Sequence, residues 1–109
     1  IRLSPVTNAN NCAPDSNPQA TYGAMVDALN DRGIAYLHFI EGQTGSTRLL
    51  DGFDFDAARR AFKGAVIANN RYTPEMARDA IVAGRADAVA FGVPVACQGV
   101  KRPCPSAPA

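Results

Sequence analysis

Two short runs carry the residues best suited to hold an anion. Asn69-Asn70-Arg71 follows one apolar run, and Gly92 follows another. A tight turn presents backbone N–H groups to an anion, and an arginine in that turn adds a charge-assisted hydrogen bond. The chemistry implied is recognition of a phosphate. The same residue types also build ordinary turns, so pattern alone leaves both readings open. Glu41 ends a third apolar run, where capping or a salt bridge is the first expectation. His38, the single histidine, lies mid-run between apolar neighbours and is expected to be structural. Tyr36, Tyr72 and Phe91 are expected to pack. The chain holds no Ser-His-Asp set and no metal constellation, so no catalytic or metal-ligating residue is assigned.

These residues need elements to position them. Four short apolar segments alternate with three helical patterns. Ile1–Pro5 is the first segment, and a polar loop runs from Thr7 to Asn17. Asn17 then suits a helix cap, with Pro18 at the first helical position. Tyr22, Met25, Val26 and Leu29 form its apolar stripe, and Gly33 supplies the stop. The second strand is Ala35–Ile40, nearly continuous in apolar character, as expected of a strand covered on both faces. A Gly-rich loop from Glu41 to Gly52 precedes a helix over Asp54–Lys63. Ala65–Ala68 is the third strand. Thr73 caps a helix that has Pro74 at its start, Glu75 in its first turn and Gly84 at its end. Ala88–Phe91 is the fourth strand, broken by Gly92. The order βαβαβαβ implies an α/β fold with a parallel sheet and right-handed crossovers. In such folds chemistry lies beyond the carboxyl ends of the strands, where Glu41, Asn69–Arg71 and Gly92 all fall. Val95 to Ala109 has three prolines, two cysteines and no helical period, and is expected to be an irregular or disordered tail.

Composition narrows the partners. The chain has 109 residues, a formal net charge of +1 and 47% hydrophobic residues, which suits one soluble globular domain at most. The lack of a basic block argues against nucleic acid. No apolar run approaches the roughly 20 residues that span a bilayer, so no membrane partner is expected. Cys12, Cys97 and Cys104 are odd in number and widely spread, without a CxxC pair. Free thiols and a cytoplasmic location are therefore expected. The first residues do not form a signal peptide, and there is no initiator Met. The expectation is a processed chain or one that begins inside a longer frame.

Several motifs, taken in register, carry a resemblance. They are Arg2-Leu3-Ser4-Pro5, Gly33-Ile34-Ala35-Tyr36-Leu37-His38, Glu41-Gly42-Gln43-Thr44-Gly45 and Arg60-Ala61-Phe62-Lys63-Gly64. Ile67-Ala68-Asn69-Asn70 and the run Gly84 to Gly92 complete them. Together they resemble the Old Yellow Enzyme family of flavoproteins, in particular its N-ethylmaleimide reductase and alkene reductase branch. The resemblance covers residues 1 to about 94. It implies that this region is the C-terminal half of an FMN-binding (β/α)8 TIM barrel, strands five to eight, followed by the irregular tail 95–109.

By resemblance the cofactor is FMN, with NAD(P)H as reductant and a small-molecule activated alkene as substrate. Arg2 matches the arginine facing the flavin N1 and O2 edge, where a fixed guanidinium favours the negative charge of reduced flavin. Asn69, Asn70 and Arg71 match the turn that holds the flavin phosphate. The family usually carries Gly where Arg71 stands, because Gly tolerates positive φ. Gly92 matches a phosphate-loop glycine. The next family residue is usually a phosphate-gripping arginine, and here it is Val93. Losing that contact is expected to weaken FMN binding by roughly 1.5–3 kcal/mol, with Arg71 partly replacing the charge. Beyond Gly92 the match ends, which suggests a frameshifted or truncated gene.

The family's substrate-carbonyl donors and its tyrosine proton donor lie on an earlier strand and have no counterpart here. The expected function is thus an FMN-dependent NAD(P)H oxidoreductase represented by a fragment that is inactive alone. A non-catalytic truncated remnant and a small α/β binding domain are the alternatives. Four strands leave two bare edges and one uncovered face, so self-association through the open sheet edges is expected.

Overall fold

The computed structural model describes residues 1–8, 13–43 and 48–92. Val93, the tail 95–109 and all three cysteines lie outside them.

The described chain builds a single parallel sheet of four strands with three helices between them. The strands are β1 (Arg2–Leu3), β2 (Tyr36–Ile40), β3 (Ala65–Asn69) and β4 (Ala88–Ala90). They lie side by side in the order β1-β2-β3-β4, every pair parallel. The helices are α1 (Pro18–Leu29), α2 (Phe55–Ala61) and α3 (Pro74–Val82). Each begins where a side chain can satisfy the otherwise unpaired N–H groups of a first turn. Asn17 Oδ1 accepts from the Ala20 amide at 3.2 Å, Asp54 Oδ1 from the Ala57 amide at 2.8 Å, and Thr73 Oγ1 from the Met76 amide at 3.2 Å.

Side-chain parity sorts the sheet into two unlike faces. Leu3, Leu37, Phe39 and Val66 turn toward α1 and α2 and bury with Val26, Phe53, Ala58 and Phe62. Ala68 meets Ala77 and Ala80 of α3, with Tyr72 and Ala86. All three helices therefore pack on one face. The opposite face carries Arg2, Tyr36, His38, Ala65, Ile67 and Ala88, and no helix among the described residues covers it. Tyr36 is 44% exposed, and Arg2, Ala65 and Ala88 are exposed as well. The expectation that β2 is covered on both faces, and that Tyr36 packs, is corrected here. An apolar strand has the same composition whether or not its second cover belongs to the described residues.

Two helix details also differ from expectation. Met25 is 40% exposed, so the buried side of α1 is Val26 with Tyr22 and Leu29 beside it. The helix ends at Leu29, before Gly33 takes its left-handed φ of 63°. The reason lies in Asn30. Its amide donates to the Ala61 carbonyl at 2.9 Å and its Oδ1 accepts from the Lys63 amide at 2.8 Å. Asn30 thereby ties the end of α1 to the end of α2.

Candidate cofactor-binding site

The carboxyl ends of β3 and β4 open into a shallow cleft lined by Asn69, Asn70, Arg71, Tyr72, Ala90, Phe91 and Gly92. Two of these positions, Asn69 and Ala90, are strand ends in register with each other, and Asn69 pairs on its other side with Ile40 of β2. The Asn69 amide donates to the Ala90 carbonyl at 2.9 Å and so ties the two strand exits together. The cleft holds about 190 Å³. That is below the roughly 300 Å³ at which pockets for whole small molecules begin. It accommodates one polar end of a ligand.

The turn at the cleft has an unusual backbone. Asn70 has φ of 111° and Arg71 has φ of 52°. Side chains resist positive φ, at a cost of order 1–3 kcal/mol per residue, and such conformations persist only when their surroundings enforce them. The surroundings are specific. Asn70 is buried, and its Nδ2 donates to the carbonyls of Glu41 at 2.6 Å and Gln43 at 2.9 Å. Arg48 Nε donates to the Asn70 carbonyl at 3.1 Å. A terminal nitrogen of Arg48 pairs with the Glu41 carboxylate, which also accepts the Tyr72 hydroxyl at 2.6 Å. The Arg48 guanidinium lies 4.4 Å over the Tyr72 ring. Burial, and then the bond to Glu41, push the Tyr72 phenol well above the ordinary tyrosine range.

The site residues expected from sequence separate into two groups. Arg71 and Gly92 are exposed at the cleft. The side chains of Asn69 and Asn70 also border it, but both amides are engaged within the fold. A Cβ built at Gly92 would meet nothing within 4 Å, so no contact in the described chain demands glycine there. Val93 lies outside the described residues. Arg2 sits on the uncovered face, opposite His38 on β2. It stands two strands from Asn69 and two residues nearer the amino ends, about 12 Å away by ordinary strand spacings.

His38 is mid-strand on the same face. Burial lowers its pKa, helped by the charges of Arg2 and the amino terminus, and its buried Nε2 has no partner among the described residues. The expectation that Glu41 forms a salt bridge holds. Arg48 was not foreseen, because its loop has no periodicity. Tyr72 does pack, but its hydroxyl is also part of the polar network.

No family model matches the chain. It is 38% identical over 96 residues to "Putative 12-oxophytodienoate reductase 11" of Oryza sativa subsp. japonica and 36% identical over 94 residues to "12-oxophytodienoate reductase 2" of Arabidopsis thaliana. Each match covers 84% of this chain and 25% of the relative, so the chain spans about a quarter of the length of these curated relatives. Among solved structures, the old yellow enzyme from Trypanosoma cruzi superposes with a TM-score of 0.72 at 32% identity, over 83% of this chain and 23% of that one. Morphinone reductase superposes with a TM-score of 0.72 at 31% identity, over 84% and 24%. It has also been solved in complex with tetrahydroNAD. The chain belongs to the Old Yellow Enzyme family.

Membership explains the two-faced sheet. The four strands are a contiguous part of the family's (β/α)8 barrel. The face without helices is the side that a complete barrel turns inward. An Old Yellow Enzyme barrel is expected to hold FMN at the carboxyl ends of these strands, and part of the described chain suits that group. The cleft offers the Arg71 cation beside a turn and a glycine, at a size fitting a phosphate. Arg2 offers a second cation on the same open face. The remaining flavin contacts lie elsewhere in a complete barrel.

Proposed function

We propose that this chain supplies the phosphate end of the cofactor site, together with the arginine facing the flavin N1 and O2 edge, of an FMN-dependent NAD(P)H oxidoreductase that reduces activated alkenes. The observation that carries the proposal is the left-handed Asn70-Arg71 turn opening beside Gly92 at the strand ends, with Arg2 on the same face. Relatives named as 12-oxophytodienoate reductases support reduction of an oxo-substituted, unsaturated substrate. The tetrahydroNAD complex of morphinone reductase supports a nicotinamide reductant.

Bound FMN would supply hydride transfer between the nicotinamide and the β-carbon of the alkene. The chain's own residues then have limited tasks. Arg71 and the turn backbone hold phosphate. Arg2 places a fixed positive charge where negative charge collects on the flavin edge. The carbonyl donors and the proton donor come from an earlier part of the barrel, so the chain alone does not turn over. Val93, at a position where the family usually carries arginine, favours a second reading: a non-catalytic remnant without flavin.

Titration of the 109-residue chain with FMN and with riboflavin, followed by flavin fluorescence, tests this. FMN should bind about tenfold tighter than riboflavin, the worth of one charge-assisted hydrogen bond, and Arg71→Ala should erase the difference. Equal affinities would overturn the phosphate assignment, and no quenching by either ligand would overturn flavin binding by this chain. NADPH with N-ethylmaleimide should give no turnover by the chain alone.

A further inference from the structure

The Asn70-Arg71 turn is strained, and something must hold it. Its two flanks are both anchored to the exit of β2. On one side, the Asn70 carbonyl accepts from Arg48 Nε at 3.1 Å, while Asn70 Nδ2 grips the Glu41 and Gln43 carbonyls at 2.6 and 2.9 Å. On the other, the Tyr72 hydroxyl donates to the Glu41 carboxylate at 2.6 Å. Arg48 closes the ring by pairing with that same carboxylate and lying over the Tyr72 ring. Anchoring residues 70 and 72 on both sides restrains Arg71 at its φ of 52°. The ion pair is only 20% and 12% exposed at its two side chains, so solvent and salt screen it weakly.

We infer that Glu41, Arg48 and Tyr72 act as a clasp that keeps the Asn70-Arg71 turn in its left-handed, phosphate-ready shape, which makes them positioning residues for the cofactor. Glu41 and Arg48 do not line the cleft, and Tyr72, which does, has its hydroxyl turned to Glu41. Arginine is required at position 48 because one rigid fork serves the Asn70 carbonyl, the Glu41 carboxylate and the Tyr72 face together. A lysine offers a single point charge on a flexible stem. Glutamate is required at position 41 because its carboxylate accepts from Arg48 and Tyr72 at once.

The inference rests on the phosphate reading above, and the test separates the two. The full chain and its Arg48→Lys, Glu41→Gln and Tyr72→Phe variants are titrated with FMN and with riboflavin, with circular dichroism as the check of fold. A merely structural loss weakens both ligands alike. A lost clasp weakens FMN alone, because only FMN carries the phosphate. Arg48→Lys and Glu41→Gln should shrink the FMN-to-riboflavin preference from about tenfold to near unity while riboflavin affinity stays within about twofold. Tyr72→Phe, which loses one hydroxyl, should reduce the preference about threefold, and it carries the test if the charge variants do not fold. Natively folded variants that keep the wild-type preference overturn the clasp. A wild-type chain without any preference overturns the phosphate reading and the clasp with it.

Discussion

Tyr72 and Glu41 stand 31 residues apart in sequence and 2.6 Å apart in the fold, hydroxyl to carboxylate. The bond joins the exit of β2 to that of β3, and β3 is one of the two strands whose ends open into the candidate site. Burial and the adjacent carboxylate both favour the neutral phenol, so the folded-state pKa of Tyr72 lies above the ordinary value of 10.0. The folded chain then keeps a proton that the unfolded chain releases. Stability from this source is complete below about pH 10 and is lost as pH rises above it. Denaturant midpoints measured between pH 9 and 11 should fall with pH, and Tyr72→Phe should flatten that slope. A variant as steep as the wild type would assign the slope to other groups.

Arg71→Gly should move stability and binding in opposite directions. Glycine takes positive φ freely, whereas a left-handed backbone costs a side chain roughly 1–2 kcal/mol. Part of the gain is offset by the greater unfolded-state entropy of glycine. A net stabilisation of about 0.5–1 kcal/mol is expected, read as a higher urea midpoint at fixed protein concentration. The same variant loses the cleft's cation and should lose its preference for FMN over riboflavin. A lower midpoint would mean that the Arg71 side chain contributes more to the fold than its backbone costs.

His38 gives a test at the other end of the pH range. Its pKa is lowered by burial first, then by Arg2 and the amino terminus. The unfolded chain therefore takes up a proton near the ordinary 6.5 before the folded chain does. The associated stability is present above about pH 6.5 and is lost as pH falls through the lower folded value. Unfolding midpoints should decline as pH falls below about 6.5, ahead of the carboxylates, and His38→Gln should remove that decline. An identical decline in the variant would sink the assignment.

The caps, the strand order and the parallel direction were legible in the chain because each rests on local chemistry. Asn17-Pro18 and Thr73-Pro74 announce helix starts through side-chain acceptors and a fixed φ. The alternation of apolar runs with helical patterns leaves little topological choice. The clasp was not legible. Its bonds join Arg48 to Asn70 and Tyr72 to Glu41 across 22 and 31 residues, and no periodicity links a loop arginine to a turn carbonyl. Glutamate at a strand end suggested a salt bridge without naming the partner. The two asparagines suggested ligand contacts. Their amides also hold the Ala90 carbonyl and the β2 exit, bonds that only coordinates show. Tyr36 misled for a different reason: an inward barrel residue and a core residue have the same apolar character, and only the presence of a partner tells them apart.

That missing partner sets the behaviour of the isolated chain. Among the described residues β1 and β4 each present one unpaired edge, and the face between them that no described helix covers exposes Tyr36 at 44%. Parallel sheets are stable when both faces are covered, and bare edges recruit further strands. The chain should therefore associate, with a weight-average mass that rises with concentration in sedimentation velocity. Tyr36→Lys places a charge on the open face without touching the buried side of β2, where Leu37 and Phe39 pack. It should shift the distribution toward monomer while the helical circular dichroism is retained. A wild-type chain that stays monomeric across the concentration range, with a cooperative melt, would show that four strands of this barrel are self-sufficient.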